Sequence, residues 1–375
     1  MSGAGGLRIA VIAPLRFPIR PPHSGGLESA VWSEVTALRA RGHEVTMVAV
    51  RGSDFVIPGS PFELPILDWP RGAALSDMTY PLSYEATTVP ALERALEALA
   101  LGAQSFDVVS NHCLHPLPLR WAAKLGTPMV TTLHTPPDAA FIAAHATAGS
   151  GGSAFLAVSD FTRREWARAG LHSDVLPNGV DPHAWPEGRG GEGIVWFGRI
   201  VPEKAPHLAV DVARRLGRRL TIAGRIGDHA YAERVLFPLI GDDVTVTGAL
   251  APAQLAAIVG GGAAALSTPA WAEPFGLVAP EALMCGTPVV SFAVGGVPEI
   301  AAGSTGMEIV GPGDVDAMAE RAERLIERTA EDASFRRRIR ASALRRFSLE
   351  RRIGVLEDVL TELAAGTPLA EGLTA

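Results

Sequence analysis

The sequence predicts an α/β protein made of two doubly wound, Rossmann-like domains, and three observations carry that prediction. At 375 residues the chain exceeds one ordinary hydrophobic core and suits two domains of roughly 100–200 residues each. Short β-rich runs alternate with amphipathic segments through both halves, the pattern of βα units that feed a parallel sheet. Between the halves lies PNGVDPHAWPEGRGGEG (177–193), rich in Pro, Gly and polar residues and offering little to a core. Domains are therefore expected over 1–180 and 190–348.

In the first half, a strand over Ile9–Pro14, a helix over Glu28–Arg41 and a strand over Glu44–Val50 form the opening units. Further units are expected at Asp107–Ser110, Leu117–Leu125 (helix), Met129–Leu133 and Phe155–Val158. Ser159 or Asp160 would cap the helix that follows, while Gly42 and Gly126 stand where helices end. The second half restarts with a strand at Ile194–Phe197, a helix at Pro206–Leu216, a strand at Leu220–Ala223 and a helix near Ala230–Leu239. It continues with Val244–Thr247 (strand), Ala253–Val259 (helix), Ala263–Ser267 (strand), Leu277–Cys285 (helix) and Pro288–Phe292 (strand). From Val315 onward the chain reads helical and charged, and RRRIR at 336–340 reads as a solvated helix face.

Composition excludes several classes of function. Apolar residues make up 47% and charged ones 19%, which places the chain among well-packed globular proteins. A net charge of −7 gives no global positive field to hold nucleic acid or an anionic bilayer, so phosphate binding must be local. Cys113 and Cys285 are far apart and show no metal-ligand spacing, which argues against a disulfide framework or structural zinc. The apolar run in LRIAVIAPL is too short for a secretion signal with its flanks and reads as a buried strand, so a cytoplasmic location is expected.

Ligands of open α/β sheets collect beyond the C-terminal ends of strands, which directs attention to the residues there. After the first strand, Gly25 and Gly26 precede a helix, where backbone N–H groups could meet an anion or simply form a turn. After Ile194–Phe197 come Arg199 and then Lys204; a guanidinium fork and an ammonium suit a diphosphate whose charge grows as it leaves. Glu273 and Glu281 flank PFGLVAP, with a helix expected to start near Gly276. If that interval were mostly helical, the carboxylates would lie about 12 Å apart. Carboxylates that hydrolyse one glycosidic bond sit within about 5–9.5 Å, so the spacing better fits one extended ligand with hydroxyls at both ends and a diphosphate between. His134 follows the strand Met129–Leu133, where a histidine can be structural or functional. His112 and His115 have an HxxH spacing without a third ligand in sequence, so no metal site is expected.

These residues resemble the retaining glycosyltransferases of family 4, also called group 1, which have the GT-B fold. The resemblance spans nearly the whole chain: GGLE (25–28), LHTPP (133–137), AVSDFTR (157–163), LPNGVD (176–181), FGRIVPEK (197–204), EPFGLVAPEALMCGTPVV (273–290) and GGVPEI (295–300). It implies two domains facing a cleft, with a C-terminal helix of about Leu349–Ala364 crossing back so that 349–375 joins the first domain. It further implies that Arg199 and Lys204 grip the diphosphate and Glu281 binds the ribose hydroxyls. Glu273 and the N–H groups of Phe275, Gly276 and Leu277 would contact the transferred sugar and phosphates. Gly25 and Gly26 would approach the diphosphate, and His134 the sugar near its C6 hydroxyl. Arg225 and the stretch Val246–Leu250, including Gly248, are candidates for the base pocket. Relatives often carry Gly after the EK pair; Ala205 here is expected to be neutral.

The implied activity is metal-independent transfer of a hexose from a nucleotide sugar, by default a UDP-sugar such as UDP-glucose or UDP-N-acetylglucosamine, to an acceptor hydroxyl. No cofactor is expected. The acceptor should lie around Arg16–Gly26 and Pro65–Tyr84. Arg16, Arg20, Arg41 and Arg51 form no strong cationic face, which favours a small soluble acceptor or glycoside over a lipid and makes membrane association the less favoured alternative. Other chemistries on the same fold, such as an epimerase or phosphorylase, and a non-catalytic sugar-nucleotide binding protein remain the competing readings. A nicotinamide dehydrogenase is disfavoured because no GxGxxG follows the first strand.

Overall fold

The computed structural model describes residues 6–69, 80–102, 106–149 and 152–367. These form two compact units, one containing described residues up to 179 together with 349–367, the other containing 180–348.

The first unit is built on a parallel sheet of β1 (Arg8–Ile12), β2 (Glu44–Val50), β3 (Glu63–Leu64), β4 (Val108–Asn111), β5 (Met129–Leu133), β6 (Ala154–Ala157) and β7 (Asp174–Val175), in the order β3-β2-β1-β4-β5-β6-β7. Its helices are α1 (Gly26–Ala40), α2 (Val89–Ala100), α3 (Leu117–Leu125), α4 (Ala139–Ala148) and α5 (Asp160–Arg168). The central strands are apolar on both faces because both are covered. Ala10, Ile12, Val48 and Val50 pack among Leu92 and Leu96 of α2 and Leu119 of α3. The alternate residues Ile9, Val11, Val45 and Met47 pack among Val31, Val35 and Leu38 of α1. Successive strand side chains point to opposite faces, so a one-residue slip would exchange these two cores. Ser159 accepts the N–H of Thr162 as the cap of α5, and Gly126 ends α3 at φ +67°.

The second unit contains β8 (Ile194–Phe197), β9 (Leu220–Ala223), β10 (Val244–Gly248), β11 (Ala264–Ser267), β12 (Val289–Phe292) and β13 (Met307–Val310), parallel and ordered β10-β9-β8-β11-β12-β13. Around it lie α6 (Pro206–Arg215), α7 (His229–Tyr231), α8 (Pro252–Gly260), α9 (Val278–Met284), α10 (Val297–Ala301), α11 (Val315–Glu331) and α12 (Phe335–Phe347). The last helix, α13 (Leu349–Ala364), belongs to the first unit, where Ile353, Leu356 and Leu360 join the α1 side of the core.

Two expectations are corrected. The region 230–239 is not one helix: α7 gives way to a π-turn at Ala232–Leu236 and a 3₁₀ turn at Phe237–Leu239, because Pro238 cannot donate into a continuing helix. RRRIR is a solvated face only at Arg337 and Arg338. Arg336 is buried, and its guanidinium donates to the carbonyls of Gly188 (3.3 Å), Gly260 (2.9 Å), Gly262 (3.2 Å) and Cys285 (3.4 Å) and to Thr287 Oγ1 (2.9 Å). Arg340 donates to the carbonyls of Pro182 (3.0 Å), Trp185 (2.7 Å) and Met284. These bonds and the N–H groups of Gly188 and Gly190 tie residues 182–190 of the Pro/Gly-rich stretch to α8, α9 and α12.

Candidate active site

The strand order of the second unit places its switch point between β8 and β11, where chain connections depart in opposite directions and leave a crevice at the strand ends. The loops after these two strands carry the residues singled out in the sequence. Their backbones are fixed to one another first. The Thr268 hydroxyl accepts the indole N–H of Trp196 at 3.0 Å and faces the carbonyls of Lys204 (2.9 Å) and Ala205 (3.0 Å), and the N–H of Ala270 donates to Glu203. On this frame the ammonium of Lys204 pairs with the carboxylate of Glu273 and lies 5.6 Å from the Trp271 ring centroid. Lysine has three N–H donors, so pairing with Glu273 leaves donors for an anionic ligand. Arg199, one residue beyond the end of β8 and Gly198, is buried.

Ala205 occupies the left-handed region at φ +45°, ψ +51°. A side chain there costs on the order of 1 kcal/mol, which gives the physical reason for a glycine preference at this position. Its buried methyl offsets part of that cost.

The interval from Glu273 to Glu281 is not mostly helical. The helix α9 starts at Val278, after Gly276 turns the chain at φ +99°, so the 12 Å helical spacing does not apply. Among the described residues no hydrogen bond uses the N–H groups of Phe275, Gly276 or Leu277. Glu281 lies in the first turn of α9 and is partly buried; burial raises its carboxyl to about 8. Glu273 is held from beneath by the loop 295–296. Gly296 donates to the Glu273 carbonyl at 2.8 Å, and Gly295, at φ +57°, lies so close that a Cβ would stand 2.0 Å from that carbonyl oxygen. Gly295→Ala is therefore expected to cost about 2 kcal/mol in chemical unfolding, through overpacking against backbone and an unfavourable φ. A midpoint equal to that of the natural protein would show that this contact does not hold Glu273.

Arg225 follows β9, as Arg199 follows β8. Gly198 and Gly224 let the two loops approach, since a Cβ on Gly224 would fall 1.7 Å from the Gly198 carbonyl oxygen. Gly248 ends β10 at φ +72°.

In the first unit, Gly25 is the extended N-cap residue before α1 and supplies no side-chain cap, and Gly26 opens that helix. His134 follows β5 and is joined to residues that sequence reasoning did not assign to the site. Its Nε2 lies 2.9 Å from His112 Nδ1; His112 Nε2 lies 2.9 Å from Glu34 Oε1; Glu34 Oε2 accepts Arg352 Nη1 at 2.7 Å. Burial pushes the His134 imidazole well below its ordinary value, which favours its neutral form. Burial also opposes ionisation of Glu34, but His112 and Arg352 overcome it and hold the carboxyl well below the usual range. A signal existed: Glu34 falls on the stripe Val31, Val35, Leu38, and Arg352 beside Leu349, Ile353 and Leu356, so each is a charge at a core position.

A cavity of about 340 Å³ beside the end of β4 is lined by Tyr80, Pro81, Leu82, Tyr84, Glu85, Leu114 and His115. Tyr80 and Tyr84 stack at 4.3 Å. Part of the expected acceptor stretch Pro65–Tyr84, residues 70–79, lies outside the described residues. His115 donates its backbone N–H to Cys113 Sγ at 3.4 Å, and among the described residues no group of three or more His, Cys, Asp or Glu side chains is arranged to hold a metal ion. No helix among them is long and apolar enough to cross a membrane.

Comparison with known proteins assigns the family. Residues 24–184 match Glycosyltransferase Family 4, and residues 184–343 match Glycosyl transferases group 1. The chain belongs to the group 1 glycosyltransferases. Among curated relatives of this group 1 enzyme, a D-inositol 3-phosphate glycosyltransferase from Gordonia bronchialis is 28% identical over 360 residues, covering 80% of this chain and 77% of that protein. A glycogen synthase from Mycobacterium tuberculosis is 33% identical over 188 residues, 46% of this chain and 43% of its own. In three dimensions the glycosyltransferase resembles sucrose-phosphate synthase from Thermosynechococcus elongatus, with TM-score 0.74, 20% identity and coverage of 96% and 100% of the two chains. It also resembles HepE from Anabaena, solved with UDP and glucose, with TM-score 0.71, 17% identity and coverage of 95% and 99%. The two parallel-sheet units thus have the GT-B glycosyltransferase fold.

Proposed function

We propose that this glycosyltransferase moves a hexose from a UDP-sugar to the hydroxyl of a small acceptor with retention of configuration and without a metal ion. The observation that carries the reading is the joining of Lys204 to Glu273 at the switch point of the second unit, with Arg199 buried on the adjoining loop. Lys204 and Arg199 would neutralise the diphosphate as it leaves, the part a divalent cation plays elsewhere. Glu273 and the N–H groups of Phe275, Gly276 and Leu277 would orient the sugar and phosphates, Gly25 and Gly26 would approach the diphosphate, and Glu281 would take the ribose hydroxyls. Arg225 and Gly248 are the base-side residues of this reading. The leaving phosphate would accept the acceptor's proton on the face from which it departs, so no enzymatic nucleophile is required. The complex of HepE with UDP and glucose supports the choice of UDP.

The aromatic cavity is the acceptor site in this reading. Tyr80 and Tyr84 offer ring faces and Glu85 and His115 polar contacts; among the described residues the lining holds no lysine or arginine, and the nearby guanidinium of Arg16 is taken up over the Tyr80 ring, 5.5 Å from its centroid. A neutral polyol or glycoside fits that chemistry better than a phosphorylated one, unlike the acceptor in the name of the Gordonia relative. The test is UDP release from UDP-glucose and UDP-N-acetylglucosamine in excess chelator, with and without neutral glycosides. Turnover of a UDP-sugar that survives the chelator is the expected result; activity that appears only on adding a divalent ion would refute the metal-independent reading.

A further inference from the structure

The chain Arg352–Glu34–His112–His134 gathers α13, α1 and the ends of β4 and β5; its inner three side chains, Glu34, His112 and Arg352, are 2%, 1% and 6% exposed, and His134 at its end is partly exposed. Its geometry fixes the direction of each hydrogen bond. An ionised carboxylate only accepts, so the 2.9 Å contact of Glu34 Oε1 with His112 Nε2 places the proton of that ring on Nε2. Ser110 Oγ lies 3.1 Å from the same nitrogen and 3.3 Å from Glu34 Oε1 and so borders the contact. With Nε2 protonated, His112 Nδ1 offers a lone pair, and His134 Nε2, 2.9 Å away, must donate to it. Arg352 already balances the charge of Glu34, so a second proton on either ring would create net positive charge in a buried site.

We propose that Glu34 and His112 are positioning residues that hold the proton of His134 on Nε2, leaving its Nδ1 as an unprotonated acceptor for a hydroxyl of the transferred sugar. The proposal rests on the reading that His134 meets that sugar. Among the described residues no hydrogen bond occupies His134 Nδ1, whereas both of its partners' inward atoms are used. A buried histidine pair that served only packing would be indifferent to which ring nitrogen carries the hydrogen. This chain is not, because one end is a carboxylate. Taking up one more proton would convert His134 Nδ1 into a donor, so sugar transfer should show an acid limb that depends on Glu34.

The test is long-range ¹H–¹⁵N correlation on the full-length protein with ¹⁵N-labelled histidine, His134 being assigned by the peaks lost in His134→Gln. The natural protein is expected to show the Nε2–H tautomer of His134 at neutral pH, and the Nδ1–H tautomer or a rapid mixture would overturn the proposal. Glu34→Gln should mix the tautomers and lower kcat/KM for the UDP-sugar by about 10- to 100-fold, by analogy with the loss of an outer group that orients a metal-bound histidine. UDP affinity should stay unchanged. If Arg352 without its partner prevents folding, Glu34→Gln combined with Arg352→Gln removes both charges, and the tautomer of the natural protein decides in either case. Ordered tautomers and unchanged turnover in these variants would overturn the positioning role. Full turnover in His134→Ala would instead sink the reading that His134 meets the sugar, with the spectra still reporting on the proton's place.

Discussion

Lys204→Ala is expected to lower kcat/KM for sugar transfer by about 10²–10³-fold while the protein stays folded. Two effects act in the same direction. The variant removes an ammonium from the position where negative charge would grow on the departing diphosphate, and one such preorganised donor is worth about 3–4 kcal/mol in the transition state. It also strands Glu273, whose side chain is only 9% exposed and which loses the cation paired with it. Lys204→Arg should recover part of the charge effect but not the geometry, because the guanidinium is longer and planar. Steady-state turnover of the UDP-sugar checks this, with UDP titration as companion. A fall confined to KM would assign Lys204 to ground-state binding, and an unchanged rate would remove it from the site.

Arg336→Ala is expected to destabilise the second unit by about 3 kcal/mol and lower its unfolding transition by about 6–12 °C. The guanidinium serves four carbonyls and one hydroxyl, and its removal leaves buried acceptors on the segment 188, on the end of α8 and at 285–287. The N–H bonds of Gly188 and Gly190 to Cys285 and Gly260 remain and limit the loss. Burial lowers the Arg336 pKa from its ordinary value, the mark of a charge held by hydrogen bonds away from water. The exposed neighbour Arg337 is the control: Arg337→Ala should change stability by less than about 0.5 kcal/mol. Equal melting curves for the two variants would mean that residues 182–190 are held by something other than Arg336.

The contrast between these two arginines shows where the sequence is readable. Strands such as Ile194–Phe197 and Leu220–Ala223 are visible to the residue, because apolar runs bounded by turn residues leave little else for the chain to do. Short pieces escape: β3 and β7 have two residues each, and α4 has almost no polar face to give it a period. In RRRIR the composition is that of a solvated helix, and only the folded backbone shows that Arg336 and Arg340 meet carbonyls from distant segments. The same holds for the site. Lys204 and Glu273 are legible because each follows a strand end and carries charge, and the switch point then joins them. Glu34 and Arg352 stand 318 positions apart, and no local pattern pairs a charge on the first helix with one on the last.

Because burial raises Glu281 to about 8, ribose hydroxyls that donate to it would favour its ionised form. UDP binding below that pH should therefore release a proton and tighten as pH rises toward 8, by up to about tenfold per pH unit. The most direct measurement is calorimetric titration of UDP in chelator against the natural protein and Glu281→Ala. UDP is expected to bind the natural protein, and the variant to bind it about 1–3 kcal/mol more weakly and without the proton release. Equal affinity in the two proteins, or no binding of UDP by either, would contradict it.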